Sequence, residues 1–273
     1  MTATFGDLAL LRRFVVARLK LISRNPRAMV FTIAFPLLLV VLFSGLNGDA
    51  KVPAAGSAGG DVRFAQFYTP SIGIFGLTAA CYTSLIVGIS AARDSGLLKR
   101  VRGTPLPMGI YLAAWLIGAA LTGIASVVVL FAVAMPAFGV HVYPRMLPAA
   151  VVTLLMGAAC LAACGLMVAT LVRTAEQAQP VAQLTFLPIS FISGIWYPLD
   201  GAPGWVTSIA HVFPLFHIVN AFDQCFVPQT PGGGWSGNDL WAIAAWTVVA
   251  GAVATRRFRR ELSGAQVGVA AAA

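Results

Sequence analysis

The chain has 273 residues, of which 59% are hydrophobic and 10% are charged, and its mean hydropathy is +0.85. Since a soluble domain needs a far more polar surface, the composition excludes a soluble protein and indicates an integral membrane protein. The net charge of +9 comes from basic clusters beside apolar runs, which favours membrane orientation over nucleic-acid binding, so no nucleic-acid partner is expected.

An amphipathic helix is predicted from Phe5 to Arg24, within a cytoplasmic segment of residues 1–27. Its apolar residues recur at spacings of three and four, and its basic residues fall on the opposite face. The apolar positions are Leu8, Leu11, Val15, Leu19 and Ile22, and the basic positions are Arg13, Lys20 and Arg24. Such a helix lies along the membrane, and Asn25-Pro26 ends it because the residue before proline avoids the helical region.

Six apolar runs are predicted to cross the membrane, since a hydrocarbon core requires roughly 20 apolar residues. Their approximate bounds are 28–46, 67–92, 109–135, 148–172, 180–195 and 239–255. A cleaved signal peptide is the alternative for the first run, but its basic region and its apolar core would both be too long. Pro36 is expected to kink the first span, and Pro188 to interrupt the fifth.

Small residues in the second and fourth spans predict close packing between helices. Gly73 and Gly76 allow this approach in the second span, and alanines, glycines and cysteines crowd the fourth. Cys160 and Cys164 are four residues apart and could bridge a metal ion, but no His or carboxylate accompanies them in the span. Packing is therefore the favoured interpretation.

The connections between spans are predicted from their composition. Residues 47–66 are rich in Gly, Ala and Ser and are expected to be an external loop without regular structure. Thr174 and Gln177 have the spacing of a capping box at the start of the fifth span. Glu176, beside them, is either a functional carboxylate or a partner of the helix dipole, and the second interpretation is favoured.

The distribution of basic residues orients the chain. Of the 18 Lys and Arg residues, all but Lys51, Arg63 and Arg145 fall on one side if both termini are cytoplasmic. The positive-inside rule places that side in the cytoplasm, and an odd number of spans would divide the basic clusters between the two sides. The segment 256–273 is then a cytoplasmic tail.

The cytoplasmic loop from Arg93 to Pro107 is the densest charge cluster between two spans. Its four basic residues, which include Arg93, and its three apolar residues suit a short amphipathic helix. Leu97, Leu98 and Val101 would present an apolar face to a protein partner. The cations of this helix, at Lys99, Arg100 and Arg102, would lie near lipid headgroups.

The outer segment 199–238 alternates apolar pieces with Pro, Gly and aromatic residues, which predicts short re-entrant or interfacial helices. Four residues there could form a catalytic or metal site, namely His211, His217, Asp200 and Asp223. Their spacing matches no metal or hydrolase signature, so interfacial polar residues are favoured.

Several kinds of chemistry are missing from the sequence. It contains no Gly-x-x-x-x-Gly-Lys-Ser/Thr segment to hold nucleotide phosphates, and no catalytic, cofactor-binding or metal-binding residue is assigned, so an enzyme is not expected. No Asp, Glu, Lys or Arg lies deep in a predicted span, which counts against an ion-coupled secondary carrier. That carrier and a membrane-embedded lipid-modifying enzyme are the alternatives to the function below.

Two segments in this order resemble the permease subunit of ABC-2 type exporters, a group that includes antibiotic-resistance, lipid and polysaccharide export permeases. The first reads Asp94-Ser-Gly-Leu-Leu-Lys-Arg-Val-Arg-Gly-Thr-Pro-Leu. The second reads Ser193-Gly194-Ile-Trp-Tyr-Pro198-Leu and is followed by Pro203, Trp205 and Pro214. The resemblance covers essentially the whole chain. It departs where Ala92 and Arg93 replace acidic residues of the family loop, and where Asp223 replaces an Arg.

The resemblance implies an all-α membrane protein of the ABC-2, or type V exporter, fold, with an elbow helix, six transmembrane helices and an outer hairpin. It implies two separate ABC ATP-binding subunits, which hold ATP and Mg, and a second permease, identical or paralogous. Residues 97–102, with the elbow helix, would couple to the ATPase, and an amphipathic or hydrophobic substrate would leave the cell. The outer hairpin would carry Gly194, Trp196, Pro198, Pro203, Trp205 and Pro214. The substrate path is predicted along Phe75, Thr78, Tyr82, Phe186, Ser190 and Phe191; lipid-facing packing is the alternative for each.

Overall fold

The computed structural model describes residues 5–47, 50–53, 61–103, 107–199, 201–228 and 230–270. This part of the chain is mainly helical. The α-helices are α1 Phe5–Ser23, α2 Pro26–Met29, α3 Phe35–Asn47, α4 Phe64–Thr78, α5 Ser84–Asp94, α6 Leu97–Arg102, α7 Met108–Phe138, α8 Leu147–Ala169, α9 Ala175–Ile192, α10 Gly204–Ala210, α11 Pro214–Asp223 and α12 Gly237–Ala270. Two π-helical turns, Val30–Ala34 and Ala79–Thr83, join α2 to α3 and α4 to α5.

Three helical segments in the described ranges are long and apolar enough to cross a membrane. They are Phe64–Asp94, Met108–Phe138 and Pro144–Ala169, and they correspond to the predicted second, third and fourth spans. The pair Gly204–Ala210 and Pro214–Phe226, bent by 96°, makes a fourth if it is counted as one broken span. Helix Thr32–Asn47 is apolar but shorter.

Two helices continue through prolines. Pro188 was predicted to interrupt the fifth span, yet α9 continues through it, and α7 continues through Pro136. Neighbouring helices can satisfy the backbone groups that proline frees, so a membrane helix tolerates it. Helix α12 also continues past Arg256 to Ala270, so the basic cluster does not end the helix.

A short two-stranded sheet lies where an irregular loop was expected. Strand β1, Lys51–Pro53, pairs antiparallel with β2, Asp61–Arg63, and Val52 lies opposite Val62. Val62 is buried between two exposed neighbours, and the Phe64 N–H donates to the carbonyl of Ala50 at 2.8 Å. The loop prediction is wrong here because three residues are too few to show a strand period. Residues 54–60 lie outside the described part.

Helix α4 lies at the centre of the protein. Every residue from Ala65 to Thr78 is buried, and the helix packs against α3, α7 and α11. Gln66, near the start of this helix, is hydrogen-bonded to two segments far away in the sequence. The Gln66 side chain donates to the carbonyls of His141 and Phe226 and accepts from the His141 N–H, all within 2.9 Å. This bonding fixes the start of α4 against two distant outer segments.

The irregularity expected at Pro36 takes the form of the π turn directly before α3. Because Pro36 has no N–H, the carbonyl four residues earlier, at Thr32, loses its helical partner. Ser126 Oγ on α7 donates to that carbonyl at 2.5 Å. A Cβ on Gly76 would lie 3.2 Å from Pro36 Cγ, so α3, α4 and α7 approach closely here. This close approach was predicted from the glycine.

The small residues of α8 allow backbone contact with the π turn at Ala79–Thr83. A Cβ on Gly165 would lie 2.9 Å from the Tyr82 carbonyl oxygen and 3.0 Å from that of Cys81. A Cβ on Gly157 would lie 2.9 Å from Ile218 Cγ2 on α11. The packing predicted for this span is therefore confirmed at these two glycines.

Candidate functional site

The three apolar residues predicted to share one face of α6, the helix of the basic loop, differ in their exposure. Gly96, at φ +69°, takes the left-handed conformation that ends α5, and α6 begins at the next residue. Leu97 is 42% exposed, whereas Leu98 is 6% exposed and belongs to the core, and Val101 packs partly against it. The three residues therefore do not form one exposed face, because α6 folds back onto the core. Arg100 is exposed, and the side chains of Lys99 and Arg102 lie outside the described part.

Two charged residues join the basic loop to the turn between α8 and α9. Arg93 Nη1 donates to the carbonyl of Val172 at 2.8 Å, and the Asp94 carboxylate accepts from the N–H of Ala175. Ala175 is the first residue of α9, so this carboxylate lies at a helix N-terminus, where negative charge is favourable. From the sequence, Asp94 was identified only as the first residue of a motif, and its role as a cap of α9 was not predicted.

The N-cap of α9 was predicted correctly. Thr174 has an extended backbone, and its Oγ1 accepts from the N–H of Gln177 at 3.4 Å. Glu176 is exposed in the first turn, as a partner of the helix dipole would be. Asp94 and Thr174 therefore both satisfy N–H groups at this end of α9.

The elbow helix α1 packs against α7 through Arg18. The guanidinium carbon of Arg18 lies 3.3 Å from the ring centroid of Trp115, a cation–π contact. Burial lowers the pKa of Arg18 to about 10, because desolvation disfavours the charged form, so the group stays charged at neutral pH. A Cβ on Gly118 would lie 2.9 Å from Arg18 Cγ, which explains the glycine there.

The apolar face predicted for α1 packs only partly against the rest of the protein. Val15 is buried, Leu8 is 65% exposed, and three other apolar positions, Leu11, Leu19 and Ile22, are half-buried. The basic residues Arg13, Lys20 and Arg24 are exposed as predicted. Arg18 was placed among the cytoplasmic cations, but no local signal indicates its contact with Trp115, 97 positions along the chain.

Three predicted path residues line one apolar cavity of about 220 Å³, which we call the inner cavity. These are Thr78, Tyr82 and Phe186, and residues from α8, α11 and α12 complete the walls, including Leu161, Met167, Leu215 and Trp246. Tyr82 Oη and Thr185 Oγ1 form a hydrogen bond of 2.7 Å across it. Thr185 was missed, although it precedes Phe186 on the same helix.

The other three predicted path residues do not line the inner cavity. Phe75 is buried, and its ring centroid lies 5.2 Å from that of Phe186 and 5.5 Å from that of Trp196. Ser190 is buried and accepts from Trp196 Nε1 at 3.2 Å. Phe191 is exposed and stacks on Trp196. These residues form an aromatic cluster beside the cavity.

Two prolines of the outer hairpin lie at helix starts. Gly194 has φ +81° in the turn after α9, Pro203 is the N-cap of α10, and Pro214 begins α11. Trp205 is exposed, whereas Trp196 lies in the aromatic cluster. Pro198 lines a second cavity, of about 160 Å³, which we call the outer cavity.

The outer histidines and aspartates do not converge on one site. His217 Nδ1 lies 2.7 Å from Asp239 Oδ1, and its Nε2 lies 2.9 Å from the carbonyl oxygen of His211. Asp239 also accepts from Asn220 and Ser236, so it joins α11 to the start of α12. Asp223 instead contacts Ser71 on α4, and Asp200 lies outside the described part. Among the described residues, no group of three His, Cys, Asp or Glu could hold a metal ion.

Asp239 was missed as a site residue. The sequence does contain a pattern from which it could have been predicted. Ser236-x-x-Asp239 ahead of an apolar run is typical of a helix N-terminus. The burial of Asp223 was also missed: its segment was predicted to be interfacial, yet it packs against α4 inside the protein.

Comparison with known proteins places these features in a family. Residues 9–227 match the family described as ABC-2 type transporter. The chain is 24% identical over 208 residues to a putative transport permease, YvfS, of Bacillus subtilis, which covers 76% of this chain and 81% of that protein. It is 20% identical over 211 residues to an inner membrane transport permease, YadH, of Escherichia coli K12, with 76% and 80% covered.

Proposed function

This chain belongs to the ABC-2 type transporter family, and from that membership we propose that it is the permease subunit of an ATP-driven exporter in the cell membrane. The family and the relatives support an integral membrane permease of an ABC transporter and not an enzyme. To this we add an outward direction of transport and an amphipathic or hydrophobic substrate, such as a drug, a lipid or a natural product.

The proposed assembly contains two of these permeases, identical or paralogous, and two separate ABC ATP-binding subunits that hold ATP and Mg. Six helical segments cross the membrane: α2 with α3, α4 with α5, α7, α8, α9 and α12. Helices α10 and α11 form the outer hairpin, and both termini are cytoplasmic. The observation that carries the proposal is the family match, because residues 9–227 include both motif segments and helices α1 to α11 except the first residues.

The contacts of the basic loop support a route for force from the ATPase. Helix α6 follows α5 directly, and α5 is joined to α4 by the π turn Ala79–Thr83. Helix α4 contributes Thr78 to the inner cavity, and the π turn contributes Tyr82. Arg93 and Asp94 bind the turn that starts α9, which contributes Thr185 and Phe186. A displacement of α6 would therefore move two walls of the inner cavity together.

The described side chains of α6 differ in their exposure. Leu97 and Arg100 are exposed, while Leu98 contributes to the core. An apolar contact with a cationic edge suits a partner surface that is partly acidic and partly apolar. We therefore assign the docking contact to Leu97 and Arg100 in place of the whole apolar trio.

Co-purification of the ATP-binding subunit tests this assignment. Leu97→Asp and Arg100→Glu should each reduce the ATPase recovered with the tagged chain by about tenfold, since central interface residues commonly contribute that much. Lys51→Glu reverses an exposed charge on β1 and should leave recovery unchanged. Leu98→Asp should instead destabilise the chain itself. Wild-type recovery of the ATPase by both folded α6 variants would contradict the proposal.

A further inference from the structure

The outer cavity contains a buried carboxylate with an unused oxygen. Asp223 is 4% exposed and lines this cavity with His211, Asn220 and Thr207. Its Oδ2 lies 2.8 Å from Ser71 Oγ, and its Oδ1 is buried with no hydrogen-bond partner among the described residues. A buried carboxylate oxygen without a partner is costly, so its retention beside a cavity points to a ligand.

The polar groups around the outer cavity are mostly committed as donors. His211 Nδ1 donates to the carbonyl of Thr207 at 2.6 Å, and Thr207 Oγ1 donates to that of Gly204 at 2.9 Å. Ser193 Oγ donates to the carbonyl of Ile189, and Asn220 Nδ2 donates to Asp239. The remaining hydrogen-bonding capacity of these wall residues is therefore mainly that of acceptors. Such a wall suits a ligand that donates hydrogen bonds.

The basic side chain nearest in sequence on α11 is engaged elsewhere. Both ring nitrogens of His217 face acceptors, Asp239 and the carbonyl of His211, so a protonated His217 is paired with Asp239 and not with Asp223. In the part of the chain that the structure describes, Asp223 forms no salt bridge. Burial raises the pKa of Asp223 well above its usual value, so a ligand that brings its own positive charge is what would hold this group as a carboxylate.

The rest of the outer cavity is apolar. Phe67, Phe216, Val219 and Leu199 line it, and aromatic faces attract cations. Its volume is about 160 Å³, against about 30 Å³ for one water molecule in the liquid, so an ammonium group and several carbon atoms fit. Phe216, Val219 and Asp223 recur at helical spacing, so they share one face of α11, while Leu215 faces the inner cavity.

We propose that the outer cavity binds the protonated amino group of an alkylammonium compound, with Asp223 Oδ1 as the counter-ion and hydrogen-bond acceptor. The assignment of this compound as an exported substrate rests on the function proposed above. Helix α11 forms part of both cavities, so a substrate that leaves the inner cavity would place its amino group at Asp223 on the outer side.

Calorimetric titration of the full chain in phosphatidylcholine nanodiscs tests the site without any ATPase. The wild-type chain should bind n-hexylammonium more tightly than n-hexanol. Asp223→Asn should weaken hexylammonium binding by about tenfold or more, the usual value of a hydrogen bond to a charged group, and leave hexanol binding unchanged. Asp61→Asn removes the same charge from an exposed site on β2 and should bind like the wild type.

Equal binding of the amine and the alcohol by the wild-type chain would overturn the proposal, even if Asp223→Asn failed to fold. So would wild-type affinity for hexylammonium in a folded Asp223→Asn variant. Nanodiscs that contain phosphatidylethanolamine separate two sources of the amine. Competition by this lipid identifies the lipid headgroup as the ligand, and unchanged binding identifies a soluble amphiphile. Because the ATPase is absent, failure here is independent of the co-purification test.

Discussion

At the scale of single residues, glycines decide how closely the helices approach. Gly165→Ala should destabilise the chain by about 1–3 kcal/mol, the usual cost of overpacking, because its Cβ would collide with the backbone of the π turn at Tyr82. Gly251→Ala is the matched control in α12, where a Cβ meets nothing within 4 Å. It should be neutral or stabilising by up to about 1 kcal/mol. Thermal unfolding in detergent measures both; equal effects would refute the packing argument.

Asp94 and Glu176 offer a second comparison between residues. Asp94 accepts directly from the first N–H of α9, whereas Glu176 is exposed in the same turn. Asp94→Ala should cost about 0.5–2 kcal/mol, as the loss of a helix cap does. Glu176→Ala should cost about 0.3–1 kcal/mol. The same unfolding assay ranks the two variants, and a larger loss for Glu176→Ala would show that Asp94 does not cap α9.

At the scale of elements, the position of the elbow helix depends on a contact between Arg18 and Trp115. Trp115→Leu should weaken the attachment of α1 to α7 by about 0.5–2 kcal/mol, because an aliphatic side chain cannot hold the cation. Trypsin should then cleave faster at the exposed Arg12 and Arg13. Trp241→Leu, at an exposed position of α12, should leave cleavage unchanged. Unaltered cleavage in Trp115→Leu would show that other contacts hold α1.

The elements themselves were predictable where the signal is local. The apolar runs that became Phe64–Asp94, Met108–Phe138 and Pro144–Ala169 were found from length and hydropathy, which depend only on neighbouring residues. The end of α1 before Asn25-Pro26 and the cap at Thr174 were found for the same reason. The two short strands were missed because three residues show no period.

Contacts between distant segments could not be predicted. The helical period places Leu97, Leu98 and Val101 close together, but the fold of α6 against the core decides that Leu98 is covered. The Asp223–Ser71 contact joins residues 152 positions apart, and one sequence contains no signal for it. These are the contacts that shape the docking surface and the outer cavity.

At the scale of the whole molecule, the proposed docking of an ATPase requires α6 to lie at the cytoplasmic surface. Its connections to α4 and α9 have a role in transport only if an ATPase can reach α6 from inside the cell. The four native cysteines are buried, so an introduced cysteine should label against a low background. Arg100 on α6 and Lys51 on β1 are both exposed and are predicted to lie on opposite sides of the membrane.

Labelling of Arg100→Cys with a membrane-impermeant maleimide is the most direct measurement. The account predicts labelling in inside-out vesicles, protection when the co-purified ATP-binding subunits are added back, and no labelling in intact cells. Lys51→Cys should label in intact cells and be unaffected by those subunits. Labelling of Arg100→Cys from outside intact cells would contradict the account.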